Sequence, residues 1–363
     1  MNIAVIEGDG TGPEVIKEAV KCLDAVCQRF KIPLNLEYFP INGTRYLSTG
    51  ELLSDQEIQT LRNKTAILLG AIGHPDCPPG VLERGILLKL RFSLDLYINL
   101  RPVRRYASVS TPLKSNDPFD YLVIRENSGG LYTGVGGRSM VNTPHEVAME
   151  SMVYTHAQVD RCVRFAFDMA QQRSQDTPWK GLTEIERQQG YRGKVTLCGK
   201  SNVLTHVYAL WNRVMDEVKL DYPHILTDYV HVDAMCIYMI ECPHRFDVIV
   251  TENMFGDIIT DLAAVTQGGM GVASSANINP NGVSMFEPIG GTAPDWTGKN
   301  QINPMAAIGA VQLMLSHLGH VDAATTLEVA KQHALSQMSS MLAGQMGYTT
   351  TGVGDLVVNA IPI

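Results

Sequence analysis

The sequence has little of several features that define whole classes of protein. None of its apolar runs approaches the ~20 residues of a membrane-crossing helix, and it opens with MNIAVIEGDG rather than a basic segment and apolar leader. Its seven cysteines form no CxxC pair, so we expect reduced thiols in a cytoplasmic protein. The net charge of −8 argues against a phosphate-backbone partner. Nucleic acid and membrane are therefore not among the expected partners.

The length and the apolar pattern together predict the fold class. A chain of 363 residues exceeds one typical core, which predicts two lobes. Short apolar runs at 2–6, 34–39 and 65–71 are typical of strands, and helical patterns separate them. This alternation predicts an α/β fold with a parallel sheet. The glycine-rich loop at 8–12 is a weak dinucleotide fingerprint, because Pro13 stands where a third glycine is needed.

Three later stretches carry their own predictions. We expect a long amphipathic helix over 144–172. The polar stretch 173–193 is interpreted as a surface excursion with one short helix, and 348–354 as a turn on the ligand side.

The segment DVIVTENMFGDIITDL combines a buried strand with a helix that carries two acids. Asp257 and Asp261 are four residues apart, so one turn places both carboxylates on one face. Such a pair costs roughly 0.2–0.5 kcal/mol on an exposed helix, and no Lys or Arg lies between Arg245 and Lys299 to relieve it. Two solvated surface acids are one interpretation. The other is a bound Mg²⁺ or Mn²⁺, with Asp233 of a second apolar segment as a third ligand.

Other charged residues stand where elements end. Arg91 and Arg101 bracket an apolar run, and Arg125 follows in YLVIRE. Each alone is explained by a surface ion pair, but a guanidinium fork also matches a carboxylate, and three indicate a substrate with several carboxylates. Lys200, at a strand-to-helix junction, either faces a cleft or is an ordinary surface lysine. Asp295, in a long Gly- and Pro-rich loop, suits a ribose hydroxyl pair, as acids do in NAD sites.

Taken together, eight stretches resemble the β-decarboxylating dehydrogenases, which act on isopropylmalate, isocitrate, homoisocitrate and tartrate or D-malate. They are GDGTGPE, LLKLR…LDLYINLRPV, RENSGGLYTG, GKSN, HVDAM, FDVIVTENMFGDIITDLAA, FEPIGGTAPD and INPMAAI, in family order. The resemblance implies a two-lobed, isopropylmalate-dehydrogenase-like α/β fold, not Rossmann, with parallel and mixed sheets flanked by helices. Residues 1–96 with 268–363 would form the cofactor-side lobe, and 97–267 the dimerising lobe for substrate and metal.

The resemblance also implies a role for each candidate residue. Three arginines would clamp the substrate carboxylates and two leucines would face its third carbon: Arg91, Arg101, Arg125, Leu87 and Leu88. Tyr132 and Lys200 would be the acid–base pair, with Asp233 as a relay. The Mg²⁺ or Mn²⁺ ligands would be Asp233, Asp257 and Asp261. Lys200 and Asp233 would reach in from the partner subunit of a homodimer, which makes the active sites composite.

The cofactor implied by the resemblance is NAD. Asp295 would select NAD over NADP because a 2′-phosphate would meet its charge, and Asn303 would contact adenine. The remaining cofactor contacts would be Gly291, Thr292, Ala293 and Asn202. Three residues depart from the family pattern: Gly290 replaces a usual His, Trp296 a small aliphatic residue, and Arg84 a Glu of isopropylmalate enzymes.

The expected reaction is NAD- and metal-dependent oxidative decarboxylation of a malate-type 2-hydroxy acid. The apolar pair Leu87 and Leu88 favours an alkyl group on the third carbon, and so 3-isopropylmalate. VGGR and SANINP resemble the tartrate/D-malate branch, whereas LDLYINLRPV resembles isocitrate enzymes, with homoisocitrate a further possibility. The departures at Gly290 and Arg84 leave an unusual malate analogue open. A regulatory subunit and a metal-free Rossmann-type dehydrogenase are the alternatives from other classes.

Overall fold

The computed structural model describes residues 1–362, which group into two compact units. Unit 1 comprises Met1–Leu96, Arg104–Pro118 and the chain from Ala264, and unit 2 comprises Tyr97–Val103 and Phe119–Ala263. The stretch 104–118, which the sequence analysis assigned to the middle lobe, groups with unit 1, where Arg104 pairs with Glu328. Within residues 1–362, no helix has the length and apolar character to span a bilayer.

The regular elements follow the chain in order. The strands are β1 (Asn2–Gly8), β2 (Asn35–Tyr38), β3 (Ala66–Ala71), β4 (Ile98–Arg104), β5 (Asp120–Glu126), β6 (Gly136–Ser139), β7 (Val147–Glu150), β8 (Gly193–Gly199), β9 (Ile225–His231), β10 (Val248–Thr251), β11 (Ser274–Ile278) and β12 (Met285–Pro288). The helices are α1 (Gly12–Phe30), α2 (Gly43–Thr49), α3 (Asp55–Arg62), α4 (Lys89–Ser93), α5 (His156–Arg173), α6 (Glu184–Gln188), α7 (Thr205–Val218), α8 (Val232–Glu241), α9 (Asn253–Thr266), α10 (Met305–His317), α11 (Val321–Gln337) and α12 (Thr350–Asn359). A π-helical turn, Glu83–Leu88, runs directly into α4.

Unit 1 is built on strands in the order β2-β1-β3-β12-β11. The pairs β1–β2, β1–β3 and β3–β12 are parallel, and β11–β12 is antiparallel. The apolar runs of β1 and β3 are fully buried, as continuous Val-, Ile- and Leu-rich strands covered on both faces should be. Most strand pairs of this mixed sheet are parallel, and parallel strands need a crossover connection rather than a tight hairpin turn.

Unit 2 has strands in the order β4-β5-β10-β8-β9. Strands β5, β10, β8 and β9 are parallel to one another, so their carboxyl ends share one edge. In open α/β sheets ligands bind beyond this edge. The loops that leave it are the natural place for the candidate residues.

The predicted α/β class is confirmed, whereas two local predictions are wrong. The helix expected over 144–172 begins only at His156, because the capping box of Thr155 and Gln158 fixes its start. Before it, β7 pairs antiparallel with β6 in a solvent-exposed hairpin. The turn expected at 348–354 is largely the first turn of α12, capped by Thr349. The 173–193 stretch contains one short helix, α6, as predicted.

Candidate active site

In unit 2 five of the candidate residues follow or end the parallel strands at their carboxyl ends. Arg125 is the penultimate residue of β5, and β10 leads through Glu252 into α9 with Asp257 and Asp261. Lys200 directly follows β8, and Asp233 stands in the first turn of α8 after β9. One sheet edge thus gathers residues that lie up to 136 positions apart in the chain.

Two arginines meet the two helix carboxylates. Arg125 Nη1 donates to Asp257 Oδ1 at 2.5 Å, and Arg101 Nη1 lies 3.5 Å from Asp261 Oδ1. Arg101 Nη2 is also 3.9 Å from Asp257 Oδ1. The sequence contains no nearby cation to relieve the acids, but β4 and β5 supply two from far along the chain. The pair is therefore not a set of free surface acids.

Tyr132 reaches the same carboxylate. Its hydroxyl donates to Asp257 Oδ2 at 2.8 Å, and its ring centroid lies 5.2 Å from the Arg125 guanidinium carbon. A phenol, a guanidinium and a carboxylate thus meet at one point, where a proton can be held or passed on.

Each guanidinium is fixed by residues that the sequence analysis did not select. Arg125 is 1 % exposed, and its Nε and Nη2 donate to Asn253 Oδ1 at 3.1 and 2.8 Å. Its side chain crosses α9 at Gly256, where a Cβ would lie 2.5 Å from Arg125 Cγ. A glycine inside an apolar helix costs about 1 kcal/mol relative to alanine. A glycine at this position of the sequence was therefore the available sign that another side chain packs closely against the helix.

Arg101 is held in a comparable way. It is buried in β4, its Nε donates to Asn99 Oδ1 at 2.8 Å, and its Nη1 donates to Thr260 Oγ1 at 2.5 Å. Thr260 lies one residue before Asp261 on α9. The helix that carries the two acids therefore also orients the Arg101 guanidinium. Asn99 and Thr260 lie inside two of the eight family stretches, but the sequence analysis gave neither a role.

The two acids meet the chemical requirements of a hard divalent cation. Their side chains remain 43 % and 55 % exposed for Asp257 and Asp261, and they offer only oxygen donors. Burial raises the pKa of Asp261; Arg101 opposes this shift and the Asp257 charge adds to it. A cation would lower the cost of holding both carboxylates ionised. These residues therefore fit Mg²⁺ or Mn²⁺.

Lys200 and Asp233 form a separate pair. Lys200 Nζ lies 2.6 Å from Asp233 Oδ1, and this hydrogen bond lowers the pKa of the Asp233 carboxyl. Over the described chain, residues 1–362, no group of three acid, His or Cys side chains is arranged to hold a metal. Asp233 thus does not complete the Asp257 and Asp261 pair within one chain. Asn202, an expected cofactor contact, is exposed in the turn after Lys200.

In unit 1 three of the six expected cofactor residues, Gly291, Ala293 and Asn303, line a cavity of about 190 Å³. Its lining also includes Gly290. Asn303 is buried; its Nδ2 donates to the Met341 carbonyl at 3.1 Å and its Oδ1 accepts from an amide of α10. The amide of Asn303 thus shapes the wall of this cavity.

The loop beside this cavity is held through its backbone. The Thr292 carbonyl accepts from Thr11 N at 2.9 Å, and a Cβ on Gly10 would lie 2.2 Å from the same oxygen. Ala293 has a left-handed φ of 42°. Asp295 follows in an exposed 3₁₀ turn, where its carboxylate is open to a ligand hydroxyl.

The π-helical turn contains the two leucines expected at the substrate. Leu87 packs against the core of unit 1, and Leu88 is partly buried at the end of the turn. Arg91 follows in α4, 3.8 Å from Glu287, with both side chains 12 % exposed. π-Helical turns are rare and are frequent at functional sites.

The sequence profile of the isocitrate/isopropylmalate dehydrogenase family matches residues 2–357. The chain belongs to this family. It is 44 % identical over 99 % of both chains to the 3-isopropylmalate dehydrogenase of Corynebacterium glutamicum, and 46 % identical to that of a Mycobacterium species (strain KMS), covering 99 % of this chain and all of the relative. Among solved structures, an isocitrate dehydrogenase from Methylococcus capsulatus superposes with a TM-score of 0.85 at 29 % identity, covering 99 % of both chains.

Membership of the isocitrate/isopropylmalate dehydrogenase family confirms the family inferred from the eight sequence stretches. It also confirms the reaction class, an oxidatively decarboxylating dehydrogenase. The family in general uses NAD and a divalent metal, acts on small carboxylates and is homodimeric.

Proposed function

We propose that the chain catalyses the NAD- and Mg²⁺- or Mn²⁺-dependent oxidative decarboxylation of 3-isopropylmalate. The observation that carries this proposal is the cluster in which Arg101 and Arg125 face Asp257 and Asp261, with Tyr132 on the same carboxylate. The full-length relatives named 3-isopropylmalate dehydrogenase support the choice of substrate.

Some residues of the cluster bind substrate and metal, and others transfer protons. A malate-type substrate carries two carboxylates, and two fixed guanidinium forks suit them in shape and charge. The divalent cation, held by Asp257 and Asp261, would polarise the substrate hydroxyl and then the ketone. NAD, when bound, would supply the hydride acceptor for the second carbon of the substrate.

Two proton transfers complete the reaction. Lys200, after it has passed a proton to Asp233 at 2.6 Å, takes the hydroxyl proton as the hydride leaves. After CO₂ is lost, the Tyr132 hydroxyl protonates the third carbon. The hydrogen bond from that hydroxyl to Asp257 Oδ2 holds it in place until then.

The apolar pair Leu87 and Leu88 supports an alkyl substituent on the third carbon of the substrate. Leucine offers no hydrogen bond to a third carboxylate, whose charge would be costly against an apolar wall. This chemistry disfavours isocitrate and homoisocitrate, and a bare D-malate or D-tartrate would leave the apolar surface uncovered.

We also propose that the enzyme is a homodimer with composite active sites. Large apolar side chains are exposed on both helices that carry metal-side acids: Ile237 and Ile240 of α8 are 52 % and 50 % exposed, and Ile258 and Val265 of α9 are 54 % and 47 %. A second copy that covers these faces would bury them. It would also supply Lys200 and the third acid, Asp233, which forms no three-acid metal group with Asp257 and Asp261 within the described residues of one chain.

The cytoplasm is the compartment that we propose. The seven cysteines are free, and burial raises the pKa of the Cys22 thiol to about 12 and that of Cys27 to about 11. Unpaired thiols of this kind suit a reducing environment.

NADH formation tests the reaction directly. With Mn²⁺ and NAD, we expect strong, EDTA-sensitive turnover of 3-isopropylmalate and far weaker turnover of D-malate, D-tartrate, isocitrate and homoisocitrate. Preference for another member of this panel would overturn the substrate. Turnover that survives EDTA without release of CO₂ would overturn the reaction.

Subunit mixing tests the composite site. Lys200→Met and Asp257→Asn homodimers should each be inactive. If the chains exchange freely, mixed dimers contain one intact site, and equal mixtures should recover ~a quarter of wild-type activity. A site built within one chain would recover nothing, because every site would keep one defect.

A further inference from the structure

Tyr154 lies between β7 and α5, beside the loop that leads to Tyr132. Its ring occupies the space above two glycines of that loop. A Cβ on Gly129 would lie 2.7 Å from Tyr154 Cε1, and a Cβ on Gly130 would lie 2.5 Å from its hydroxyl oxygen. The Gly129-Gly130 pair therefore leaves room for this ring.

The Tyr154 hydroxyl belongs to the cap of α9. It accepts a hydrogen bond from Asn253 N at 2.9 Å and donates to Glu252 Oε2 at 3.1 Å. Glu252, which is fully buried, also accepts from the amides of Met254 and Phe255 at 2.9 and 2.5 Å. These contacts satisfy the amides that begin the helix.

The same cap reaches the substrate-binding arginine and the loop. Asn253 Oδ1 accepts from Arg125, and Asn253 Nδ2 donates to the Gly129 carbonyl at 3.0 Å. One hydroxyl thus connects the start of the metal-binding helix with the loop that carries Tyr132.

The Tyr154 ring has a rigid backing. It packs edge-on against Trp211, with centroids 5.6 Å apart and planes at 84°, and Trp211 is fully buried. The neighbouring Val153 accepts a backbone hydrogen bond from Gly130 at 2.9 Å. Because the ring is fixed, its hydroxyl can hold the start of α9 and the Gly129-Gly130 loop in one arrangement, which a mobile ring could not do.

We propose that Tyr154 is a positioning residue, which sets the Tyr132 hydroxyl and the Asp257 carboxylate at their working separation. The inference rests on the proposed function, since it assigns that separation to the decarboxylation site. Tyr154 acts on α9 through Glu252 and Asn253. It acts on the loop that carries Tyr132 through Gly129 and Gly130.

Tyr154→Phe keeps the ring and removes the hydroxyl. We expect roughly a tenfold lower kcat and a similarly larger Mn²⁺ dissociation constant. This is the lower end of the roughly 10–100-fold effect of direct partners of metal ligands, because Tyr154 acts on Asp257 through Asn253 and Arg125. The KM for NAD should not change, since the expected cofactor loop belongs to unit 1. Hydrogen exchange of the amides at 128–133 and of Asn253 should accelerate.

Tyr222→Phe is the matched control. Its hydroxyl donates to Asp168 at 2.6 Å, so the same kind of bond is lost outside the cluster. Equal losses of melting temperature in both variants, with kcat, Mn²⁺ binding and loop exchange unchanged in Tyr154→Phe, would overturn the proposal. A wild-type enzyme that does not turn over 3-isopropylmalate would instead overturn the proposed substrate. Amide hydrogen exchange and Mn²⁺ binding would then still test the role of Tyr154.

Gly129→Ala provides a second variant if Tyr154→Phe does not fold. Its new methyl must displace the ring while the hydroxyl remains. The same lower kcat and faster loop exchange are expected. Wild-type exchange and kcat in this variant would contradict the positioning role.

Discussion

Each unit of the molecule contains a cluster of ionised side chains, and the two clusters are built differently. In unit 1, Glu328 accepts from Arg104 at 3.1 Å and from Gln332 at 3.0 Å, and lies 2.7 Å from Lys331 Nζ. Its side chain is only 12 % exposed. In unit 2, Asp257 and Asp261 share Arg101, and both remain about half exposed.

The carboxyl pKa values follow this difference. Burial acts to raise the pKa of Glu328, but the charge of Lys331 and the hydrogen bonds outweigh it and leave the pKa lowered. For Asp261 burial wins and the pKa is raised, with the Asp257 charge adding to the shift. The buried, paired cluster of unit 1 stabilises the fold, whereas the carboxylates of unit 2 face Arg101 and Arg125 but stay about half exposed, which suits them to bind a divalent cation as well.

Asp257→Asn should have the largest effect, because it removes the charge of a proposed metal ligand and leaves one acceptor oxygen where Arg125 and the Tyr132 hydroxyl use two. We expect kcat/KM to fall about 10³-fold, since a metal ion supplies several kcal/mol of transition-state stabilisation. Mn²⁺ titration should show weaker binding. Full activity with an unchanged titration would contradict the metal site. Asp228→Asn, which alters an acid paired with Lys194, is the control.

Glu328→Gln should do the reverse and cost stability while sparing catalysis. It leaves Lys331, only 6 % exposed, without its carboxylate, and breaking a buried ion pair costs about 3 kcal/mol. Denaturant unfolding measures this loss. Glu37→Gln, at the exposed carboxylate beside Lys64, should cost under about 1 kcal/mol. Equal losses in the two variants would erase the distinction between the clusters.

The pH dependence of stability follows from the same carboxylate. Because the folded pKa of Glu328 lies below its unfolded value of roughly 4.3, its contribution is complete above that value. The contribution is lost as the pH falls through the folded pKa. Glu328→Gln should therefore show a weaker decline of unfolding free energy with acid than wild type, and parallel curves would argue against this assignment.

Gly256→Ala tests whether fixed arginines, and not acids alone, make the unit 2 cluster active. The new methyl would lie 2.5 Å from Arg125 Cγ, so the guanidinium must shift, and misplacement of about 1 Å costs on the order of 10²-fold. Alanine is the better helix former, so lost activity cannot be attributed to weaker helix propensity. Gly137→Ala, where a Cβ meets nothing within 4 Å, should be silent.

Gly290→His should have the smallest effect, and it addresses the cofactor side. A Cβ at Gly290 would meet only Met270 Cβ, at 4.0 Å, so the cavity accepts a side chain. One new hydrogen bond of about 0.5–1.5 kcal/mol should lower the KM for NAD roughly three- to tenfold. Gly290→Leu adds bulk without a donor and should not. An unchanged KM for NAD in both variants would show that position 290 does not contact the cofactor.

The residues whose chemistry is visible in a sequence were the ones that could be predicted. Arg125, Asp257 and Tyr132 were selected by charge and motif, and the structure brings them together. Asn253 and Gly256 were missed because their roles are to hold Arg125 and to admit it. Such roles depend on tertiary contacts, which a single sequence reports only weakly.

The fold shows the same division. Strands such as β3 were predictable because a continuous apolar run needs burial on both faces. The helix expected over 144–172 covers β7 but not β6, although Val147 and Met149 alternate with Ala148 and Glu150 as in a strand. Both apolar side chains face solvent in the single chain, so no core contact marked the strand.

The π-helical turn at Glu83–Leu88 amounts to one inserted residue in a helical segment. Deleting one residue there would rotate Arg91 and the rest of α4 by about 100° relative to the preceding turn. The register of α4 relative to the preceding turn therefore depends on a single codon. A lineage could change which face of α4 packs inward by gaining or losing that residue, without replacing any side chain.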